Sequence, residues 1–476
     1  MAPSVFLDGM PIAPSRNLFR SGKPTFRAGL EKGVRPLAGF SHAGKMGFRD
    51  SLVLEHRQPL RSFLTLYVLG ALFTLSMFYR VSTAVIAPDL VRDLHLNAKT
   101  LGLLGGAFFY SFALFQIPIG PLLDHVGPRR VIGTFTLIGA LGSILFATSP
   151  SFGVALIGRI LNGAGMASVM RGTFKVFTLQ FAPERFATLV GTLLAVGTLG
   201  NIFAASPLAF MASVAGWRVA FLLTGGVTAV LAGSVFWILP KEEKESSAVR
   251  ASSPEQTLAV VQSMRLILRT LVFWQVAALS FFRYGSLICL QGLWLGPYLT
   301  DGKGYSPVQA GNVLLLIAVG TILGAPVAGR LSDRTFRSRK GLAFWGMTLY
   351  SFTLLFLVGI FDIRTSVGFG AIFFLLGFFN AFGMLVFAQI KEFFPVTISA
   401  TATTLVNFFS MAGGAFFMPL LGRMIESFPR AGDAYPKEAY HLAFLVCLIG
   451  MGMSVLFYRL TSSGFPSTEV HPSRRS

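Results

Sequence analysis

Three arginines, Arg80, Arg159 and Arg283, stand inside long apolar stretches. At bilayer depth each arginine costs at least about 2.5–3.5 kcal/mol on insertion scales, so its presence there calls for a use. In a dry hollow a guanidinium grips a carboxylate or phosphate through two parallel N–H donors. No Asp or Glu stands near the middle of these stretches to neutralise them. Carboxylates are the usual proton carriers inside membranes. Cations without them fit anion exchange or facilitated movement better than proton coupling. Other polar residues at depth are Gln116, Asn162, Asn201, Gln291, Asn380 and Asn407. In lipid such groups glue helices together more often than they hold ligands. The aromatics Tyr79, Tyr110, Tyr284 and Trp294 fit packing or interface anchoring better than lining a cavity.

Other chemistries find little support in the chain. It has no G-x-x-x-x-G-K-[ST] phosphate loop, no nucleophile elbow and no H-E-x-x-H, so neither ATP-driven work nor hydrolysis is expected of it. Cys289 and Cys447 both lie in apolar runs, and the six histidines are scattered. Neither set has metal-ligand spacing. The chain is therefore expected to be no enzyme and to carry no cofactor or metal.

The elements that must position the arginines follow from composition. Of the 476 residues 53% are apolar and 13% charged, with mean hydropathy +0.66. Soluble domains carry about 25% charge, so this chain cannot coat a soluble surface. A spanning helix needs roughly 20 apolar residues. Twelve candidates run over 62–87, 100–122, 131–149, 152–174, 187–213, 217–239, 271–299, 307–330, 341–361, 365–388, 399–424 and 439–460. Each must be helical, because hydrocarbon offers its backbone no other partners. The Gly-rich stretches 102–106 and 163–165 suit close helix approach.

The net charge of +20 falls in short clusters between these runs, not in a stripe that would fit nucleic acid. Arg129-Arg130, then Arg171, Lys175 and Arg185, then Arg330 to Lys340 make alternate loops basic. Those loops should be cytoplasmic. The polar stretch 240–269 divides the spans six and six as a cytoplasmic linker, with one surface helix near 260–268. Residues 61–239 and 270–460 then form two bundles. A basic cytoplasmic arm over 1–60, expected to be disordered, and a cytoplasmic tail over 461–476 flank them. The arm could touch anionic lipid, reflect a true start at Met46, or weakly resemble a transit peptide.

An internal repeat supports the division. Pro88 and Pro297, which close the first and seventh spans, lie 209 residues apart, and so do Asp124 and Asp333. Parallel repeats with a site at their interface are one membrane architecture. Asp124 and Asp333 sit at helix ends beside short basic loops, where each can pair with Arg130 or Arg334 or cap a helix. Such a pair is worth about 1 kcal/mol or less, which suits a latch that breaks repeatedly. Gly120, Asp124, Arg130, Asp333, Arg334 and Arg337 are the candidate gate.

The run Gly120-Pro-Leu-Leu-Asp124-His125-Val-Gly127-Pro-Arg129-Arg130 resembles the loop between spans two and three of the major facilitator superfamily, with His125 where arginine is usual. Gly329-Arg-Leu-Ser-Asp333-Arg334 is its second copy. Arg159-x-x-x-Gly163-x-Gly165 resembles the family's span-four element, and Gly216-Trp217-Arg218 a frequent start of span six. The resemblance covers about residues 60–460. It implies an all-α membrane protein of twelve helices in two pseudo-symmetric six-helix bundles, moving a small solute by alternating access. Spans one, four, seven and ten then line the cavity. Arg80 resembles the first-span arginine of the organophosphate:phosphate exchangers and the anion:cation symporters, and Arg283 the seventh-span arginine of the former.

Tyr79 and Met166 stand where the symporters place acids, which points away from their proton coupling. The drug-antiporter motif of span five is replaced by Gly197-Thr-Leu-Gly-Asn-Ile. The expected substrate is an organic anion, phosphorylated or carboxylated, bound by Arg80, Arg283, Arg159, Tyr79, Gln116 and Gln291. The expected partners are that small molecule and the bilayer, without nucleic acid. The chain is expected to be a monomer in the cell (inner) membrane, with both termini cytoplasmic. The alternatives are an exporter of neutral or amphipathic compounds, or a transporter-like sensor without turnover.

Overall fold

Apolar backbone in hydrocarbon must bond within its own segment, and each predicted run is helical in the computed structural model of the chain. The structure describes residues 48–240, 254–336, 338–361, 363, 365–430 and 434–461. The expected arm lies outside them up to position 47, as do 241–253 of the linker, Arg337 and the tail from 462. Residues Met1–Glu55 form one unit, described only from Phe48, where it is helical; His56–Ser476 form the other.

Span one is helix over Phe48–Val81 and, after Ser82, Thr83–Leu94. It begins earlier and ends later than the apolar count alone suggested, because helix continues into polar flanks. Spans two and three are Ala98–His125 and Pro128–Ala147. Span four is Phe152–Met166 followed by Val169–Gln180. Span five is Phe186–Phe203 then Ser206–Ala215, and span six is Trp217–Ile238. The expected surface helix of the linker is Pro254–Arg269, longer than predicted, with Ile267 fully buried.

Span seven is Leu271–Cys289, a π-helical turn Leu290–Trp294, and Leu295–Asp301. Span eight is Pro307–Arg330 continued by the π turn Leu331–Thr335. Span nine is Arg339–Leu355, span ten Ser366–Phe382 then Leu385–Phe393, span eleven Val396–Glu426 and span twelve Lys437–Arg459. Eleven of these are long and apolar enough to cross a membrane. Span nine, with 17 helical residues, falls just short because it unwinds into turns over 356–359.

The connections are short and locally specified. Asn97 and Thr100 form a reciprocal capping box at the start of span two, and Ser306 with Gln309 does the same for span eight. Gly127, at φ 90°, turns the chain into Pro128, a conformation that glycine adopts without strain.

The halves repeat their packing. A Cβ on Gly163 of span four would lie 2.2 Å from the Phe108 carbonyl of span two. Its counterpart, a Cβ on Gly377 of span ten, would lie 1.9 Å from the Ile317 carbonyl of span eight. Likewise Gly200 of span five meets Thr74 of span one, and Gly413 of span eleven meets Phe281 of span seven, at 2.0 and 2.2 Å. Without a side chain, backbones approach this closely and gain dispersion contact. The result is two pseudo-symmetric six-helix bundles.

Candidate functional site

The seam between the bundles joins span one to span seven, span two to span eleven and span five to span eight. At the arginine-poor end it is shut by backbone contact. A Cβ on Gly296 would lie 2.1 Å from the Ala84 carbonyl, and one on Gly102 2.6 Å from the Met418 carbonyl. The Ala98 amide, in the first turn of span two and not used by the capping box, donates to Glu426 Oε2 of the other half at 2.9 Å and to the Tyr435 hydroxyl at 3.1 Å. Arg430 Nε donates to Tyr435 at 2.8 Å, and Tyr435 donates to Glu426. Burial and the Glu426 carboxylate push the Tyr435 hydroxyl up, so it remains a donor. A carboxylate from one half thus satisfies an orphan helix amide of the other.

Toward the basic end the ion pairs stay within a half. Asp124 pairs with Lys175 at 2.7 Å, not with the expected Arg130 or Arg334. Lys175 rides on the second piece of span four, Val169–Gln180, whereas the sequence placed it in a loop. Arg130 is exposed. Asp333 lies 3.8 Å from Arg339, whose closer partner is Glu392 at 2.8 Å. Gly120 has open space around it. Both aspartates are largely solvated, with side-chain exposures of 57% for Asp124 and 65% for Asp333.

Deep in the seam, Arg80 is 5% exposed. Its Nη1 donates to the Tyr284 hydroxyl of the other half at 3.1 Å, and its Cζ sits 4.5 Å from the centre of the Phe112 ring. Its Nε has no hydrogen-bond partner among the described residues. Its carbonyl faces the π turn of span seven, where a Cβ on Gly292 would come within 3.1 Å.

Tyr79 is the next residue on the helix, so its side chain points about 100° away. It is fully buried inside the first half, bonded to Thr228 at 2.9 Å. Arg159 is also buried there, against the rings of Phe108 and Phe146. Its Nη1 donates to the Tyr79 carbonyl at 3.1 Å, just before the interruption at Ser82. That contact braces the turn carrying Arg80. The structure therefore sets Tyr79 and Arg159 behind Arg80 and not beside it.

Arg283 is 3% exposed and donates to Asn380 Oδ1 at 2.9 Å, within the second half. It packs so tightly against Gly383 that a Cβ there would lie 2.1 Å from its Cδ. Arg80 and Arg283 thus have separate partners in different halves. Gln291 is buried in the π turn. Gln116 accepts from Arg171 and from Asn407 of the other half. Among the described buried residues the charged ones are these three arginines, with no Asp or Glu.

Sequence reasoning missed Tyr284 as the partner of Arg80 and Arg171 as a half-buried cation bonded to Gln116. The available signal for Arg171 was its place between Gly165 and Phe181, in a stretch otherwise mostly apolar.

Comparison with known proteins agrees with this architecture. The sequence profile of the Major Facilitator Superfamily matches residues 68–311 and 285–474. A probable sulfoacetate transporter of Cupriavidus necator is 24% identical over 58% of this chain; the chain spans 66% of its length, just under two thirds. A probable hexose phosphate transport protein of Chlamydia pneumoniae is 25% identical over 78% of this chain and 85% of its own. Among solved structures, a bacterial homologue of the human lysosomal transporter Spinster, inward-facing and unoccupied, superposes with TM-score 0.69 at 17% identity over 85% of this chain and 97% of its own.

Proposed function

We propose, from the premise that this chain belongs to the major facilitator superfamily, that it carries a small organic anion across the cell (inner) membrane by alternating access. It is a multi-pass membrane transporter of a small molecule, not an enzyme. The observation that carries the anion reading is Arg80. It is a buried guanidinium at the seam, with one unpartnered nitrogen and no carboxylate among its described contacts. In such surroundings an uncompensated charge is expensive, and an anion that offsets it binds strongly. The relatives' names, one a sulfonated carboxylate and the other a sugar phosphate, support the same class.

Orientation follows from charge. The basic loops lie on the cytoplasmic side and both termini with them. The described state then faces the cytoplasm, with the outer end shut by Gly296, Gly102 and the Glu426 link. Rocking the repeats about the seam opens the outer end. Exchange or facilitated movement fits better than proton symport, since no buried carboxylate accompanies the arginines.

The test is uptake by proteoliposomes of labelled glucose 6-phosphate and sulfoacetate, with and without the same anions inside. Counterflow is expected for at least one of them. Arg80→Gln should cut it at least about tenfold, the loss of roughly 1.4 kcal/mol or more from a charge-assisted pair. Uptake of uncharged sugars by both proteins, with no competition from anions, would reject the reading.

A further inference from the structure

Arg171 has no part in the reading above. It lies on the inner piece of span four, beyond the interruption at 167–168, and is half-buried. Its Nη1 donates to the Gln116 carbonyl at 2.6 Å and its Nη2 to Gln116 Oε1 at 3.2 Å. The same Oε1 accepts from Asn407 Nδ2 of the second half at 3.1 Å. None of the ion pairs among the described residues involves Arg171. Among the described residues its charge is therefore met only by neutral amide oxygens, which a carboxylate, sulfonate or phosphate outbids.

Its position along the seam is set by span two. Phe112, whose ring lies under Arg80, and Gln116, which holds Arg171, are four residues apart on one face of that helix. The rise between them is about 6 Å, at 1.5 Å per residue. The next residue on that face is Gly120, which leaves open space toward the basic end.

We propose that Arg171, with Gln116 and Asn407, is a second anion station, one helical turn to the cytoplasmic side of Arg80. It rests on the anion reading for its substrate, though its binding chemistry is measurable without transport. An anion arriving on Arg171 displaces the Gln116 oxygens. Gln116 is also what Asn407 holds, so occupancy loosens this polar contact between the halves. The station thereby ties arrival of the anion from the cytoplasm to freedom of the seam.

The experiment is site-resolved arginine modification of the full-length purified protein by phenylglyoxal, read by peptide mass spectrometry, with inorganic phosphate as the probe. At about four times its Kd, phosphate should slow modification of Arg171 about fivefold by mass action. The protection should persist in Arg80→Gln, and an equal concentration of choline chloride should give none. Loss of protection in Arg80→Gln would mean one composite site and overturn a separate station; absence of protection in the wild-type protein would overturn anion binding at Arg171. Protection without counterflow of any anion would count against the transport reading and leave the station standing. In counterflow-active protein, Arg171→Gln should raise the half-saturating concentration on the cytoplasmic side severalfold and leave the external one unchanged, with Arg171→Lys intermediate. Equal changes on both sides would mark a merely structural role.

Discussion

The two ends of the seam are held by different physics. At the end proposed to face outward, helices of opposite halves touch backbone to backbone through Gly296 and Gly102, and a carboxylate caps a helix amide across the boundary. At the basic end, the ion pairs close within each half, Asp124 on Lys175 and Asp333 and Glu392 on Arg339. Dispersion contact between smooth surfaces is lost as soon as they part, so the outer seal is sensitive to ångström changes. Solvated ion pairs tolerate such changes and contribute little. The motif loops at the basic end thus stiffen their own half in this state, and closure is carried by small residues elsewhere.

The largest break in that comparison should come from Gly296→Leu. Its side chain has no room against the Ala84 carbonyl, and overpacking of this kind costs about 1–3 kcal/mol. Counterflow should fall at least about tenfold. A cysteine introduced at Ala84, in a chain lacking Cys289 and Cys447, should react faster with an external membrane-impermeant maleimide. Unchanged reactivity would show that the contact does not seal the outer end.

Glu426→Gln keeps the shape but weakens the link to Ala98 and Arg430. The loss should be near 1 kcal/mol, about fivefold in the ratio of the two states. The same maleimide assay should move in the same direction as for Gly296→Leu, by less. A shift toward the inward-facing state would contradict the latch.

Lys175→Gln should do least. Its pair with Asp124 is partly solvated, so both thermal stability and transport should change by no more than a factor of about five, under 1 kcal/mol. A large loss would mean that Asp124 meets a partner across the seam in another state, as the expected pairing with Arg334 would require.

How much was legible can be followed residue by residue. The twelve helices, the six-plus-six division and the burial of Arg80, Arg159 and Arg283 were readable, because lipid leaves the backbone no alternative to helix and leaves few places for a charge. The glycines that permit close approach were also readable as a class. Which carbonyl each one meets was not. Neither were the interruptions at Ser82 and 167–168 nor the π turn at Leu290–Trp294, which rotate the side chains beyond them.

By itself, then, the amino-acid order determined that this chain is a duplicated bundle in a membrane with unneutralised arginines at depth. Tertiary structure alone decided where each guanidinium goes: Arg80 to Tyr284 across the seam, Arg159 back to the Tyr79 carbonyl, Arg283 to Asn380 and Arg171 to Gln116. Hydropathy and periodicity report how far a residue sits from water. A partner on another helix depends on the rotation of both helices, and packing sets that rotation only once all of them are in place.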